Sequence, residues 1–288
     1  MQLWLQCESL RGEKMKIAYY PGCTLKTHAK EFEKAALEAY KAIGIELKEL
    51  DKWYCCGTVY SLAKDNIMYK VAAIRNILNA QKDGFDYLVV LCSMCYNTLK
   101  QAQEFIKDEN NLARVKAFMD EEEYKGVEIL HGLELIKDKM DEIKKAVKKP
   151  LNRKYAAYYG CTLLRPKSIA IDAYEKPSIM ERLIEALGGI AIEWPLKNEC
   201  CGSYNIITNK KAVVERTRHI IENARQNGAE AIVTSCPLCY FNLKECQKDV
   251  KKIHPDFEEM PLYYYTELMC QAFNDKFDKG ENNTGKLT

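Results

Sequence analysis

Thirteen cysteines punctuate this chain, at positions 7, 23, 55, 56, 92, 95, 161, 200, 201, 236, 239, 246 and 270. Ten of them spell one pattern twice: a single cysteine, then Cys-Cys-Gly, then Cys-x-x-Cys. The first copy is Cys23, Cys55, Cys56 (followed by Gly57), Cys92 and Cys95. The second is Cys161, Cys200, Cys201 (followed by Gly202), Cys236 and Cys239. Thiolates are soft ligands, suited to zinc, copper(I) or iron–sulfur clusters. A structural zinc site takes four ligands in a tetrahedron. Five thiols, two of them on adjacent residues, fit one zinc poorly, because adjacent side chains diverge. A multinuclear iron–sulfur cluster meets that demand, with different thiolates reaching different irons. A zinc-stabilised module and a purely thiol role are the alternatives.

The residues around the cysteines repeat as well. Tyr19-Tyr20-Pro21-Gly22-Cys23-Thr24-Leu25 matches Tyr158-Tyr159-Gly160-Cys161-Thr162-Leu163, less one proline. The segment DYLVVLCSMCYNTLK, from Asp86, aligns without gaps to EAIVTSCPLCYFNLK, from Glu230. The chain therefore reads as two related halves, 16–148 and 149–288, joined at a lysine-rich stretch containing Pro150. Residues 1–15 read as an N-terminal extension or tail.

Several elements must deliver these cysteines. Residues 16–20 read as a strand ending at Pro21-Gly22, and 27–43 as a helix with Phe32, Ala35, Ala36, Ala39 and Ile43 near helical spacing, stopped by Gly44. A second strand, 45–50, leads to the Cys-Cys-Gly turn. A helix follows over 67–81, and a third strand, 87–91, runs into Cys92. Strands alternating with helices of this length predict parallel β-α-β units. The expected fold class is α/β, two repeated Rossmann-like halves with mostly parallel sheets and the cysteine loops at the strand C-terminal ends. Open α/β sheets place their ligands at that edge. Helix N-termini after the cysteine elements are expected to aim N–H groups at anionic sulfur.

Composition narrows the class. The 288 residues are 47% hydrophobic and 29% charged, as in ordinary soluble globular proteins. A net charge of +2, from 43 basic and 41 acidic side chains, gives no support for nucleic-acid binding. No apolar run approaches the roughly 18 to 20 residues of a membrane span. The opening MQLWLQCESLRGEK is too charged for a signal peptide. The expected location is a reducing cytoplasm, where this many cysteines serve metal or redox chemistry rather than disulfides. Neither a G-x-G-x-x-G fingerprint nor a P-loop appears, so flavin, NAD and ATP sites are not expected.

From about Lys16 to Phe273 the paired pattern resembles the cysteine-rich CCG domain. The compact two-copy form with its YYPGCTL opening is similar to the B subunits of the heterodisulfide reductases of methanogenic archaea. That resemblance implies an oxidoreductase that reduces the mixed disulfide of coenzyme M and coenzyme B to two thiols, in methanogenesis. It implies two non-cubane clusters of the 4Fe-4S type. Cys23, Cys55, Cys56, Cys92 and Cys95 would be one ligand set, and Cys161, Cys200, Cys201, Cys236 and Cys239 the other. Each cluster would take one sulfur of the disulfide and give it one electron. It also implies two heterodisulfide reductase partners, the small iron–sulfur C subunit and, behind it, the flavin-bearing A subunit. Relatives of the domain serve hydroxy-acid oxidation, so the alternative is an electron-transfer subunit of a lactate- or glycolate-type oxidoreductase.

Weaker features carry bland readings beside sharper ones. Lys26, Arg165, Lys167, Lys210 and Lys211 lie near cysteine loops and would suit anionic coenzymes, but solvated surface cations read equally from sequence. His131, ending the segment VEILH, and Tyr264, in the matching place of the second half, are candidate proton donors to a departing thiolate. The competing reading for His131, and for His28, is a structural histidine. The tyrosine pairs at 19–20 and 158–159 read as strand core. Cys7, Cys246 and Cys270 read as small apolar side chains, and Gly188-Gly189 as a helix stop.

Overall fold

A computed structural model of the chain describes residues 15–58, 67–119 and 124–273. The first half builds β1 (Met15–Tyr20), β2 (Ile45–Glu49), β3 (Tyr87–Val90) and β4 (Glu128–His131), side by side in the order β2-β1-β3-β4 and all parallel. The second half builds β5 (Lys154–Tyr158), β6 (Ile190–Ile192), β7 (Ala231–Thr234) and β8 (Leu262–Tyr264), again parallel, in the order β6-β5-β7-β8. The expected α/β class stands, with sheets parallel throughout. Strands buried on both faces favour continuous apolar runs. Leu88, Val89 and Val90 in β3 and Ala231, Ile232 and Val233 in β7 supply them.

Among the described residues the first half's helices are α1 (Gly22–Thr27), α2 (Lys30–Ala42), α3 (Val71–Lys82), α4 (Ser93–Ile106), α5 (Glu109–Met119), α6 (Gly132–Ile136) and α7 (Met140–Ala146). Those of the second are α8 (Ile179–Ala186), α9 (Asn205–Thr208), α10 (Lys210–Gln226), α11 (Pro237–Ile253) and α12 (Tyr265–Phe273). The helix expected over 27–43 is α2, which begins three residues later, and a short helix not expected from sequence, α1, precedes it across His28 and Ala29. The chain leaving β1 turns first around Cys23, where the Thr27 hydroxyl donates to the Cys23 carbonyl at 2.9 Å. The loop after Cys161 forms no such helix. Pro166 and Pro177 lack the N–H a helix interior needs, and α8 begins only where Asp172 accepts the N–H groups of Ser178 and Ile179, at 2.6 and 2.9 Å. Gly188, at φ +78°, ends α8.

The halves dock through α12 and α2. Phe32 stacks on Tyr264 with ring centroids 4.2 Å apart. The Tyr40 and Tyr265 hydroxyls meet at 2.9 Å, and the Cys270 thiol donates to the Ala35 carbonyl at 3.2 Å. From the other side, α4 grips the loop after Cys161. Tyr96 donates to the Ile169 carbonyl at 2.9 Å, and Asn97 to the carbonyls of Thr162 and Arg165 at 2.7 and 2.6 Å. Cys246 and Cys270 are buried, as small apolar side chains would be. Cys7 and the rest of the expected N-terminal tail before Met15 lie outside the described residues.

Candidate metal centre

In each sheet the strand order reverses between the first and third strands, which is the crevice where open α/β sheets bind ligands. Cys23 follows β1 and Cys92 follows β3, and the same crevice of the second sheet receives Cys161 after β5 and Cys236 after β7. The Cys-Cys pairs come in from the edge strands β2 and β6. A tyrosine at the end of each first strand anchors the incoming loop. Tyr20 donates to the Tyr54 carbonyl at 2.8 Å, and Tyr158 to the Glu199 carbonyl at 2.7 Å. Tyr54 and Glu199 immediately precede the Cys-Cys pairs. The tyrosines are core, as read from sequence, but their hydroxyls brace the site. Burial, with the neighbouring thiols, holds both far above the usual tyrosine range, so they stay protonated.

The thiols converge. Cys23 and Cys55 sulfurs lie 3.9 Å apart, and Cys56 and Cys95 sulfurs 3.4 Å apart. A Cβ added at Gly22 or Gly160 would stand 3.1 or 3.0 Å from the sulfur of Cys95 or Cys239. Both glycines hold positive φ, at +70° and +65°, which a residue with a side chain rarely adopts. All described cysteines are free. Among the described residues, no three Cys, His, Asp or Glu side chains are gathered closely enough to hold a single metal ion. The thiols meet instead as a chain of neighbours.

Their protonation is linked. Hydrogen bonds from Cys55 and then Cys95 pull the Cys56 thiol down to about 4, and the same bonds push Cys55 and Cys95 up. In the second set, bonds from Cys161 and Cys201 pull Cys200 down to about 2, while Cys161 rises and Cys201 is pushed up to about 12. Cys236 is lowered by the Cys239 thiol, then, against burial, by the backbone N–H groups of Cys239 and Leu238 in the first turn of α11. The expected helix terminus therefore does point at sulfur there. The hydrogen bonds that favour the thiolate at Cys56 or Cys200 disfavour ionisation of the thiols that make them. Only a cationic centre lets all five ionise together. In donor type, number and convergence the residues fit a thiolate-bound multinuclear cluster.

The two sets adjoin. Ser93, next to Cys92, and Ser235, next to Cys236, share a hydrogen bond of 3.0 Å across the halves. Tyr204, half-buried just past the second Cys-Cys-Gly, has its hydroxyl raised by burial and by the thiols of Cys236, Cys92 and Cys56, which belong to both sets. Side-chain donors also reach the second set. Asn242 donates to the Cys201 sulfur at 3.6 Å, and Arg216 to the Cys200 carbonyl at 3.0 Å. Sequence reasoning missed Ser93, Ser235, Tyr204, Arg216 and Asn242. Asn242 stood in the gap-free alignment, opposite Thr98, and only its neighbours in space reveal its role.

The named candidates fall differently. His131 is fully buried, its Nε2 2.9 Å from the Leu91 carbonyl, while its Nδ1 accepts the Leu133 N–H at 3.1 Å. Burial lowers its pKa to about 3, so it stays neutral and braces the residue before Cys92. Tyr264 occupies the matching register position, opposite Thr234 as His131 is opposite Val90. It lies stacked between Phe32 and Tyr240, each 4.2 Å away. His28 is exposed at the end of α1. Lys26 pairs with Glu33 and Glu49 at 2.7 and 2.6 Å, and Lys210 with Asp249 at 2.6 Å. Arg165 lies over the Tyr174 ring. Lys167 and Lys211 flank these positions in the chain, on a short 3-10 turn and on α10.

Behind each set sits a second repeated arrangement, tyrosine–glutamate–lysine–glutamate. In the first half Tyr19 donates to Glu33, which Lys26 joins to Glu49. In the second Tyr159 donates to Glu181, which the buried Lys197 joins to Glu193, at 3.0 and 2.9 Å.

Known proteins match this arrangement. The model of the CCG family, the cysteine-rich domain, matches residues 17–100 and 155–244. The chain is 31% identical over 264 residues to the 8-methylmenaquinol:fumarate reductase membrane anchor subunit of Wolinella succinogenes, covering 89% of this chain and 92% of that one. It is 27% identical over 269 residues to the B subunit of the ferredoxin:CoB-CoM heterodisulfide reductase of Methanosarcina mazei, covering 89% of each. A solved structure of a hypothetical protein from Helicobacter pylori shares the fold, with a TM-score of 0.70 at 13% identity; it covers 98% of this chain, which spans 55% of that protein's length. Among the described residues, no helix is long and apolar enough to cross a membrane. On its doubled cysteine pattern, its paired parallel sheets and these matches, the chain belongs to the cysteine-rich CCG domain family.

Proposed function

We propose that this chain is an iron–sulfur redox component of a larger oxidoreductase, holding two non-cubane clusters side by side, and that it reduces a disulfide of the coenzyme M–coenzyme B type. The ligands are Cys23, Cys55, Cys56, Cys92 and Cys95 for one centre and Cys161, Cys200, Cys201, Cys236 and Cys239 for the other. The observation that carries this is the contact of the two cysteine loops through Ser93 and Ser235. When bound, such centres supply single electrons, and a pair of them matches the two electrons that cleaving a disulfide takes. The chain's own residues hold the sets in register: Tyr20 and Tyr158 pin the Cys-Cys loops, and the serine bridge fixes the spacing. The Tyr204 hydroxyl, kept protonated by burial, stands where thiols of both sets act on it and serves as a proton source there. The partners are an electron-donating iron–sulfur protein and a flavoprotein behind it, as in heterodisulfide reductases.

The identity to the fumarate reductase protein favours a second reading, an electron carrier that takes electrons from a quinol and binds no disulfide. One anaerobic assay separates them. Protein with iron and sulfide counted is mixed with reduced viologen and the coenzyme M–coenzyme B disulfide. Dye oxidation that needs the disulfide supports the first reading; none, with a response to a quinone instead, replaces it with the second.

A further inference from the structure

We infer that the two cysteine sets are electrically unequal, and that Asn242 and Arg216 make the second set the seat of the higher reduction potential. This rests on the cluster reading above. Hydrogen bonds to sulfur and nearby positive charge stabilise the more negative, reduced state of a thiolate-bound cluster, and so raise its potential.

Most contacts are matched between the halves. Backbone N–H groups of Gly202 and Ser203 donate to the sulfurs of Cys200 and Cys201, both at 3.4 Å, and those of Gly57 and Thr58 serve Cys55 and Cys56 in the same way. Tyr20 and Tyr158 each donate to a carbonyl, although the Tyr20 hydroxyl also bears on the Cys56 sulfur, which works in the first set's favour. Two contacts belong to the second set alone. The fully buried Asn242 gives an amide N–H to the Cys201 sulfur at 3.6 Å, its position fixed by a second bond to the Ser203 carbonyl at 3.1 Å. The equivalent residue, Thr98, turns its hydroxyl to the Thr58 hydroxyl and the Met94 carbonyl, at 2.8 and 3.0 Å. The first set therefore lacks this bond from α4.

The second difference is charge. Arg216 holds the Cys200 carbonyl, and its guanidinium pairs with Glu199 at 2.9 Å. In the first half the loop residue Tyr54 is held by the neutral amide of Asn76, at 2.8 and 2.9 Å. Glu199 offsets part of the arginine charge, but it is the more exposed partner, 45% against 31%, so water screens it more. Exposure works the other way, because Cys23 and Cys55 are exposed where Cys161 and Cys200 are half-buried. That contrast is confined to the rim, since Cys56 and Cys95 are as buried as Cys201 and Cys239. Electrons entering at the exposed first set would then run downhill to the second.

The test is a potentiometric titration of the iron-loaded full chain, followed by electron paramagnetic resonance. Two midpoint potentials are expected. Asn242→Thr, which copies the first half's residue, should lower the upper one alone by about tenfold in the reduction equilibrium, about 59 mV for one electron. Arg216→Gln should lower it too, while Arg216→Lys keeps it. Cys23→Ser should disturb the lower-potential signal. The inference is overturned if Asn242→Thr and Arg216→Gln leave both potentials in place, or if Cys23→Ser disturbs the upper signal. Iron and sulfide counts separate this from the parent reading: an iron-free wild-type chain sinks the clusters and the inequality together, whereas loaded protein with unmoved potentials sinks the inequality alone.

Discussion

The imidazole of His131 takes the Leu133 N–H at Nδ1, which leaves its Nε2 proton for the Leu91 carbonyl, and burial keeps the ring neutral. Its folded pKa of about 3 lies below the ordinary histidine value of 6.5. The unfolded chain therefore binds a proton in that window that the folded chain refuses, and folding stability falls as pH drops from about 6.5 to about 3. His131→Gln should flatten that part of the stability–pH curve, read from urea midpoints at several pH values. It should also cost about 1–3 kcal/mol at pH 7 through the lost cap and brace. At the cysteines, Cys201→Ser should lower iron and sulfide per chain, with a colorimetric iron count as the readout. The convergence of the cysteines was legible in the sequence, because both copies of the pattern place them just after strand ends. The neutrality of His131 was not, because it comes from burial, which exists only once distant residues such as Tyr96 pack against the ring.

Short helices α6 and α12 begin in the same way. Glu134 accepts the N–H of His131, and Glu267 that of Tyr264, both at 2.7 Å, so each helix starts with a glutamate reaching back three residues. Glu267→Ala should destabilise the fold by about 1 kcal/mol, measurable by thermal melting. Gly132, the first residue of α6, is tighter still. A Cβ there would lie 2.4 and 2.6 Å from the hydroxyls of Tyr265 and Tyr40 and 2.7 Å from Leu91 Cδ2. Those rings are buried and cannot swing away. Gly132→Ala should therefore cost about 1–3 kcal/mol and lower the melting temperature. The strands were legible because their apolar runs are short and bounded by turn residues. The short helix α1 was not, because Pro21-Gly22 reads as a turn and no apolar spacing marks the six residues that wind around Cys23. The missing helix after Cys161 left only its prolines as a signal.

The two halves share one site, so what joins them sets its geometry. Phe32→Ala removes the ring stacked on Tyr264 and should cost about 3–5 kcal/mol, with cluster content falling in both sets because the serine bridge lies across the same junction. Chemical unfolding together with iron release would check it. The repeat in the sequence announced two halves but not how they face, since Tyr96, Asn97, Phe32 and Cys270 find their partners only once both sheets exist. The two paired lysines add a historical reading. Lys26 comes from α1, three residues after the first cysteine, whereas Lys197 comes from the loop before the second Cys-Cys pair. Each ties together two glutamates, one of which accepts from a tyrosine, but the tyrosines differ as well: strand register sets Tyr20, not Tyr19, in the place of Tyr158, so the sequences align there without dropping a proline and Tyr159 stands where the first half has Pro21. Had both descended from one ancestral half, they would stand at one place in the repeat. At least one arose after the gene duplicated, so the two networks are separate solutions rather than one inherited arrangement. A symmetric protein rebuilt from either half alone would therefore carry that half's own tyrosine, lysine and pair of glutamates as a set.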